Sequence, residues 1–231
     1  MVQQLPSTGD GERPPPGAGC DTSELRIIHA IYREDFARAG ELVRATPAAD
    51  ARRVRLIAGH LDALVEDLGV HHRLEDEHIW DRLEQRAPAC RAHVGRMRDQ
   101  HARIAELLER VREAVAAWRA APSEPEALID ALERTRTVLI DHLGDEERDV
   151  VPVAARVMTQ GEWDGIREAA MREGRPSTMM MIELDRVRRQ FAAEGREAEF
   201  MEQLPQPVRL AFRLFGRRQA DRRWRAIYGP R

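Results

Sequence analysis

The amino-acid sequence predicts an all-α protein, an up-down-up-down four-helix bundle with a C-terminal helical extension. Charged residues make up 33% of the 231 residues and aromatic residues only 5%, a composition that favours amphipathic helices over sheets. Apolar residues also recur at intervals of three and four along four long stretches, and short turns that contain proline separate these stretches.

Capping residues and prolines bound the first two helices. Residues 1–20 are rich in Pro and Gly and are predicted to be a disordered tail. Residues 21–23 offer N-caps for the first helix, which is predicted to stop at Pro47. Asp50 caps the second helix, which is predicted to run as far as Pro88.

The third and fourth helices complete the predicted bundle. The third runs from about Ala89 to Ala120, and the fourth follows Pro125 and meets Pro152. Helices joined by loops of a few residues are antiparallel neighbours. We therefore assign residues 21–158 to a four-helix bundle.

Residues 159–231 form the predicted helical extension, with shorter helical patterns at 160–173, 177–194 and 206–228. These helices are too short and too polar for a core of their own, so we expect them to dock on the bundle or on a partner, including a second copy of the chain. The basic stretch from Arg209 to Arg225 is interpreted as an amphipathic helix packed on the bundle rather than as a surface for nucleic acid or anionic lipid.

Charge and cysteine content exclude several classes of protein. The net charge is −3, which gives no overall basic field for nucleic acid. Cys20 and Cys90 form no CxxC pair and no disulfide framework, as is typical of a reducing compartment. No apolar run approaches a membrane span, and the N-terminus lacks the features of a signal peptide. We therefore expect a cytoplasmic protein.

An internal repeat carries the functional prediction. The segment that starts with His71 and contains Glu75 aligns with the segment that starts with His142 and contains Glu146, and His29 aligns with His101. Residues i and i+4 share one face of a helix. Each half of the bundle therefore offers one histidine from its first helix and a His-x-x-x-Glu pair from its second.

These six residues are also predicted to lie at one depth. Counted from the interhelical turns at ~1.5 Å per residue, they fall in one layer of the bundle. His60, His78 and His93 fall outside it. His72 with Asp76 is an alternative to His71 with Glu75, because rotating the second helix by one residue would exchange the two pairs; the repeat favours His71.

Four imidazoles and two carboxylates in an apolar interior need a partner, because buried carboxylates without one are costly. Divalent metal ions meet that need, and a bridging oxide or hydroxide would reduce the remaining positive charge. Mixed nitrogen and oxygen ligands suit iron, manganese or zinc better than calcium or magnesium.

The pattern His…His-x-x-x-Glu…His…His-x-x-x-Glu over a four-helix bundle resembles the hemerythrin family in its broader HHE cation-binding form, across about residues 24–155. The resemblance implies a non-haem di-iron centre with an oxo or hydroxo bridge, with manganese or zinc less favoured. The residues that it implies as ligands are His29, His71, Glu75, His101, His142 and Glu146.

The sequence departs from the oxygen-carrying hemerythrins, which place a His-x-x-x-His pair on the third helix. Met97 and Ala105 lie four residues from His101, so one imidazole is expected to be missing and one more coordination position to be open. We therefore expect reaction with O₂, peroxide or nitric oxide, as in a peroxide-decomposing oxidoreductase, rather than simple oxygen carriage. A metal-dependent sensor or interaction module and an iron store without turnover are the alternatives. Tyr32, one turn after His29, could also ligate as a phenolate.

Overall fold

A computed structural model describes residues 15–173 and 177–230, without the side chains of 177–181, 183 and 203. The described residues form helices and no strand beyond isolated bridges between Thr159 and residues 18 and 19, which confirms the predicted all-α class. Residues 1–14, most of the predicted disordered tail, lie outside the described residues. The rest of that segment contacts the protein, because the Gly19 and Cys20 amides donate to the carbonyls of Met158 and Ala155.

The first part of the chain is built from four long helices with short helices between them. The elements are α1 (Ser23–Arg44), α2 (Ala51–His78), α3 (Trp80–Arg86), a 3₁₀ turn (Pro88–Cys90), α4 (Arg91–Ala120), α5 (Glu126–Asp149) and α6 (Val151–Val157). Helices α1 and α4 both pack against α2 and against α5. The four long helices therefore enclose a common interior.

The start of α2 follows the predicted capping chemistry. An Asp50 side-chain oxygen accepts a hydrogen bond from the Arg53 amide at 2.9 Å, which satisfies one of the free amides of the first turn. Gly59 and Gly69 do not interrupt this helix. The prediction of an N-cap at Asp50 is confirmed.

The prediction of one continuous second helix up to Pro88 is wrong, because α2 ends at His78 and α3 begins at Trp80. The junction residue Ile79 has φ −105° and ψ −55°, and Val150, between α5 and α6, has φ −112° and ψ −50°. Ile79 and Val150 occupy equivalent positions of the sequence repeat. Both breaks come four residues after the repeated glutamate, so the two halves share this local geometry as well.

The C-terminal residues form a second helical layer on the outside of the four long helices. Its elements are α7 (Gln160–Arg172), α8 (Ser177–Ala193), α9 (Glu197–Gln203), α10 (Gln206–Ala211), a π-helical segment (Phe212–Gly216) and α11 (Arg217–Tyr228). Helix α7 contacts α2, α8 contacts α1 and α11, and α11 also contacts α2. A capping box between Thr159 and Glu162 starts α7.

Apolar contacts and a buried ion pair hold this layer against α1. Ile27 and Ile31 share an apolar cluster with Val187 and with other side chains of the C-terminal helices. Nearby, Arg186 of α8 donates to Asp35 of α1 at 2.5 Å, and both side chains are 8% exposed. The outer layer is therefore attached to the same helix that carries His29.

Two apolar clusters fill the bundle interior and leave a polar layer between them. On α4, for example, Met97 belongs to one cluster and Ile104 to the other, and His101 lies between the two. Every long helix contributes to this layer at the matching depth. Among the described helices, none combines the length and the apolar composition that a membrane crossing needs.

Candidate metal centre

Seven side chains from the four long helices meet in the polar layer. Six are those that the sequence predicted, and each is at most 9% exposed: His29 on α1, His71 and Glu75 on α2, His101 on α4, and His142 and Glu146 on α5. The seventh is His72 on α2, which is 5% exposed.

The donor atoms of these side chains form two adjoining groups. His29, His71 and Glu75 offer atoms that all lie within 4.8 Å of one another. His72, Glu75, His101 and His142 form a second group with the same property. Glu75 belongs to both groups, so its carboxylate can serve two neighbouring ions.

The two glutamates are arranged with the symmetry of the sequence repeat. Glu75 lies 3.3 Å from His71 Nε2 through one oxygen and 3.6 Å from His101 Nε2 through the other. Glu146 Oε2 lies 3.4 Å from His29 Nε2 and 3.8 Å from His142 Nε2. Each glutamate therefore reaches the histidine on its own helix and the histidine on the first helix of the other half.

His72 breaks this symmetry. Its side chain and that of His71 both lie in the polar layer, whereas the sequence predicts that only one of the two does. Successive helical residues point about 100° apart, and α2 contacts both α1 and α4. The His71 ring lies 5.3 Å from the His29 ring of α1, whereas the His72 ring stacks 4.3 Å from the His101 ring of α4. The repeat could not show this, because the position equivalent to His72 holds Leu143.

Asp76, which the sequence pairs with His72, hydrogen-bonds to His101 instead. Its Oδ1 lies 2.8 Å from His101 Nδ1 and also accepts a hydrogen bond from Trp80 Nε1. The equivalent residue Glu147 accepts from His29 Nδ1 at 2.9 Å. An ionised carboxylate can only accept, so we assign the ring proton to Nδ1 in both histidines. His101 Nε2 then has no hydrogen-bond partner, whereas His29 Nε2 accepts a hydrogen bond from His71 Nε2 at 3.3 Å.

His142 is oriented in the same way by an amide. Its Nδ1 lies 3.1 Å from Gln100 Oε1, and the amide nitrogen of Gln100 donates to Asp145 at 2.9 Å. Such hydrogen bonds fix the tautomer and orientation of metal-binding histidines. In His101 and His142, Nε2 is thus available for a ligand.

Several atoms that face this interior have no hydrogen-bond partner. They are Nε2 of His72, His101 and His142, both carboxylate oxygens of Glu75, and Oε2 of Glu146. Buried polar groups are rarely left unsatisfied, since each costs about 1–3 kcal/mol. Bound cations would satisfy this convergent set of lone pairs, so the residues present fit a metal centre of nitrogen and oxygen ligands.

Burial also shifts the protonation of these groups in the metal-free protein. Burial and then the charge of Glu146 raise the pKa of Glu75 well above its usual range. Burial and then His101 lower the pKa of His142 to about 2, and the pKa of His72 is lowered in the same way. Neutral imidazoles bind metal ions directly, whereas a glutamic acid must release its proton on binding.

The three histidines predicted to lie outside the layer belong to neither group of donor atoms. His60 is buried, and its Nε2 lies 2.9 Å from the Tyr228 hydroxyl. His93 pairs with Asp149 near the start of α4, and His78 ends α2.

Tyr32 directs its hydroxyl to a carboxylate on α2. The hydroxyl donates to Asp67 Oδ2 at 2.8 Å, and the Tyr32 ring packs 5.2 Å from the ring of His71. The hydrogen bond to Asp67 favours a packing role over a phenolate ligand.

A family model described as the hemerythrin HHE cation binding domain matches residues 20–154. The chain belongs to the hemerythrin family. Neither the curated proteins nor the solved structures include a match to this chain. The matched range contains all seven side chains of the layer and ends before α7, so the outer helical layer lies beyond the hemerythrin domain.

Membership of the hemerythrin family agrees with the nitrogen and oxygen donors that the structure brings together. Hemerythrin-family domains bind metal cations, and the His and Glu cluster of this chain can hold them. No histidine lies four residues from His101, as the sequence indicates. In the described structure, His72 of α2 lies in the same group of donor atoms as His101.

Proposed function

We propose that this hemerythrin-family protein is a non-haem di-iron protein that reacts with or senses O₂, peroxide or nitric oxide. One ion would be held by His29 and His71 and the other by His72, His101 and His142, with Glu75 and Glu146 shared between them. The observation that carries the proposal is the convergence of unpartnered nitrogen and oxygen atoms from α2, α4 and α5 on one buried space, beside His29 of α1. The four long helices then act as the up-down-up-down bundle that the family resemblance implies.

The chemistry of an iron pair is the binding and one-electron reduction or oxidation of small oxygen and nitrogen ligands. The protein's own residues prepare that chemistry. Asp76, Gln100 and Glu147 hold the Nδ1 protons of three histidines away from the centre. The two apolar clusters above and below the layer exclude bulk water, which strengthens the interactions of charges inside.

The fifth imidazole changes the expected reactivity. Five histidine nitrogens and four glutamate oxygens, with one bridging oxygen, would leave about one of the twelve positions of two six-coordinate ions open. With His72 as a ligand, the centre would have no additional open position. A single open position favours the binding of one small ligand.

Optical titration of the iron-loaded protein tests this function. We expect the visible absorption of the iron-loaded chain to change on addition of O₂ to the reduced protein or of a nitric oxide donor. Glu75→Gln should abolish that change, whereas Glu77→Gln, at an exposed position of the same helix, should keep it. An iron-loaded protein whose spectrum responds to neither gas would contradict the proposal.

Oxygen release from hydrogen peroxide then separates an enzyme from a sensor. Sustained release that Glu75→Gln abolishes and Glu77→Gln retains identifies a peroxide-decomposing oxidoreductase. Spectral changes without sustained release identify a binding or sensing module.

The sensor alternative has an observation of its own. Helix α1 carries His29 in the layer and, on either side of it, Ile27 and Ile31 in the cluster shared with the C-terminal helices. Ligand binding at His29 can therefore change how α8 and its neighbours pack. Limited trypsin digestion should show slower cleavage within residues 159–231 when iron is bound; equal rates with and without iron would contradict the sensor.

The outer helices also suggest a partner surface. Leu210, Leu214 and Phe215 are 56–70% exposed and lie close together on α10 and the π-helical segment. We assign the bundle to residues 21–158 and the docked extension to 159–231, with this apolar group available to a second copy of the chain or to another protein. A cytoplasmic location accords with the reduced cysteines that the sequence predicts.

A further inference from the structure

A cavity of about 280 Å³ lies between the bundle and the outer helical layer. Leu25 and Ile28 of α1 and Leu74 of α2 form its inner wall. On the other side it is lined by Trp163 and Ile166 of α7, Val187 of α8 and further apolar side chains of α9 and α10. At its inner end the cavity reaches His71 and Glu75.

The outer wall belongs to the part of the chain beyond the family match. The hemerythrin match ends at residue 154, whereas Trp163, Val187 and Phe200 all lie after it. The extension therefore forms the outer wall of an apolar space beside one face of the candidate metal centre.

The charged residues of the cavity indicate a neutral ligand. Arg167, the cation among the residues that line it, is paired with Glu24 at 3.0 Å and with Asp164 at 2.9 Å. At the inner end, Glu75 is 2% exposed and neither of its oxygens has a hydrogen-bond partner. Among the described residues that line the cavity, acidic side chains would meet an anionic group and the one cation is already paired, whereas a hydroxyl group could donate to Glu75.

The volume sets the size of the ligand. An engineered apolar cavity of roughly 150 Å³ binds benzene, so a cavity of about 280 Å³ has room for about a dozen non-hydrogen atoms. Ligand pockets are in general mostly apolar with a few convergent polar groups, and this cavity has that composition.

We propose that the cavity binds a neutral, largely apolar organic molecule of about a dozen non-hydrogen atoms, with any hydroxyl group directed at Glu75. The binding site itself does not require metal. Through His71 and Glu75, however, an occupant would lie against the proposed di-iron centre.

Titration of the full-length protein with 1-naphthol tests the proposal, with 1-naphthoate as the anionic probe of similar shape. We expect saturable binding of one 1-naphthol per chain and at least about tenfold weaker binding of 1-naphthoate. Ala170→Phe places a ring in the cavity and should weaken 1-naphthol binding at least about tenfold. Arg172→Phe adds the same ring on the exposed face of α7 and should leave binding unchanged.

Leu184→Trp, at a partly buried position of the opposite wall, gives a second cavity-filling variant if Ala170→Phe does not fold. The absence of saturable 1-naphthol binding, equal binding of 1-naphthoate, or binding that neither filling variant weakens would overturn the proposal. Metal content measured on the same samples keeps this outcome separate from a failure of the di-iron proposal.

Discussion

Replacing Glu75 by leucine should stabilise the metal-free protein and abolish metal binding. Both carboxylate oxygens of Glu75 are buried, and neither has a hydrogen-bond partner. Leucine has a similar size and no polar atom, so Glu75→Leu removes an unsatisfied group from the interior and adds no cavity. If Glu75 served only to stabilise the fold, Glu75→Leu would instead lower the free energy of unfolding of the metal-free protein.

The size of the effect follows from the cost of one unsatisfied buried polar group, about 1–3 kcal/mol. For a chain of this length, each kcal/mol shifts the unfolding midpoint by about 2–4 °C, so the expected rise is about 2–12 °C. The raised pKa of Glu75 adds a pH dependence. A group whose pKa is raised by folding contributes stability below its unfolded value of 4.5, and that contribution is lost as the pH rises. The advantage of Glu75→Leu should therefore grow above pH 4.5.

Thermal and urea unfolding of chelator-treated protein, followed by circular dichroism, measures this difference. Glu77→Leu is the matched control, because Glu77 is on the same helix and is 52% exposed; its effect should stay within about 0.5 kcal/mol. If Glu75→Leu lowers the free energy of unfolding of the metal-free protein by 1 kcal/mol or more, a value at the edge of the ~1–3 kcal/mol range, the reasoning is refuted.

Three further predictions test the surroundings of the centre and the attachment of the outer helices. Asp76→Ala should lower iron affinity about 10–100-fold by freeing the His101 ring, whereas Asp81→Ala, at an exposed site, should not; competition with a chelator measures both. Arg186→Met leaves Asp35 buried without its cation and should lower the free energy of unfolding by about 3–5 kcal/mol. Arg172→Met, whose partner Glu168 is also exposed, should lower it by less than about 1 kcal/mol. Comparable urea midpoints for the two variants would contradict this. Glu162→Gln should lower the free energy of unfolding by about 0.5–1 kcal/mol at pH 7. The hydrogen bonds from Arg86 hold the pKa of Glu162 at about 2, so this difference should vanish as the pH falls from 4.5 to 2; a constant difference would exclude that linkage.

The long helices could be predicted from sequence because their signals are local. The apolar intervals, the Asp50 cap and the prolines lie within each element, and the structure follows them. The break at Val150 has a local signal, because Pro152 lies two residues later, at the start of α6. The break at Ile79 has none, since no Gly or Pro lies near it; it coincides with the packing of α3 against α6, which is a tertiary property.

The residues of the candidate metal centre likewise include six that the sequence predicts and one that it does not. Six of its residues follow from the repeat and from their common depth, because both depend only on helical geometry. His72 required knowledge of the neighbours of α2. A helix packed between two others buries a face wider than 100°, so two successive histidines can both point inward, each toward a different neighbour. The adjacent pair His71 and His72 could have indicated two inward histidines, but the internal repeat matches only His71.

The outer layer was predicted as helices but not as the wall of a cavity. Its contacts join residues more than a hundred positions apart, such as Ile31 and Val187, and no periodicity within a single helix specifies such a pair. Only the folded arrangement places Trp163 and Val187 opposite Leu74 and Glu75.

The metal content of the purified full-length chain, expressed with ample iron, tests the di-iron centre most directly. We expect two irons per chain in the wild type and a loss of iron in His72→Ala. His93→Ala, whose histidine lies outside the layer, should keep the wild-type iron content. A wild-type chain without iron or any other transition metal, or a His72→Ala chain that keeps both irons, would contradict this expectation.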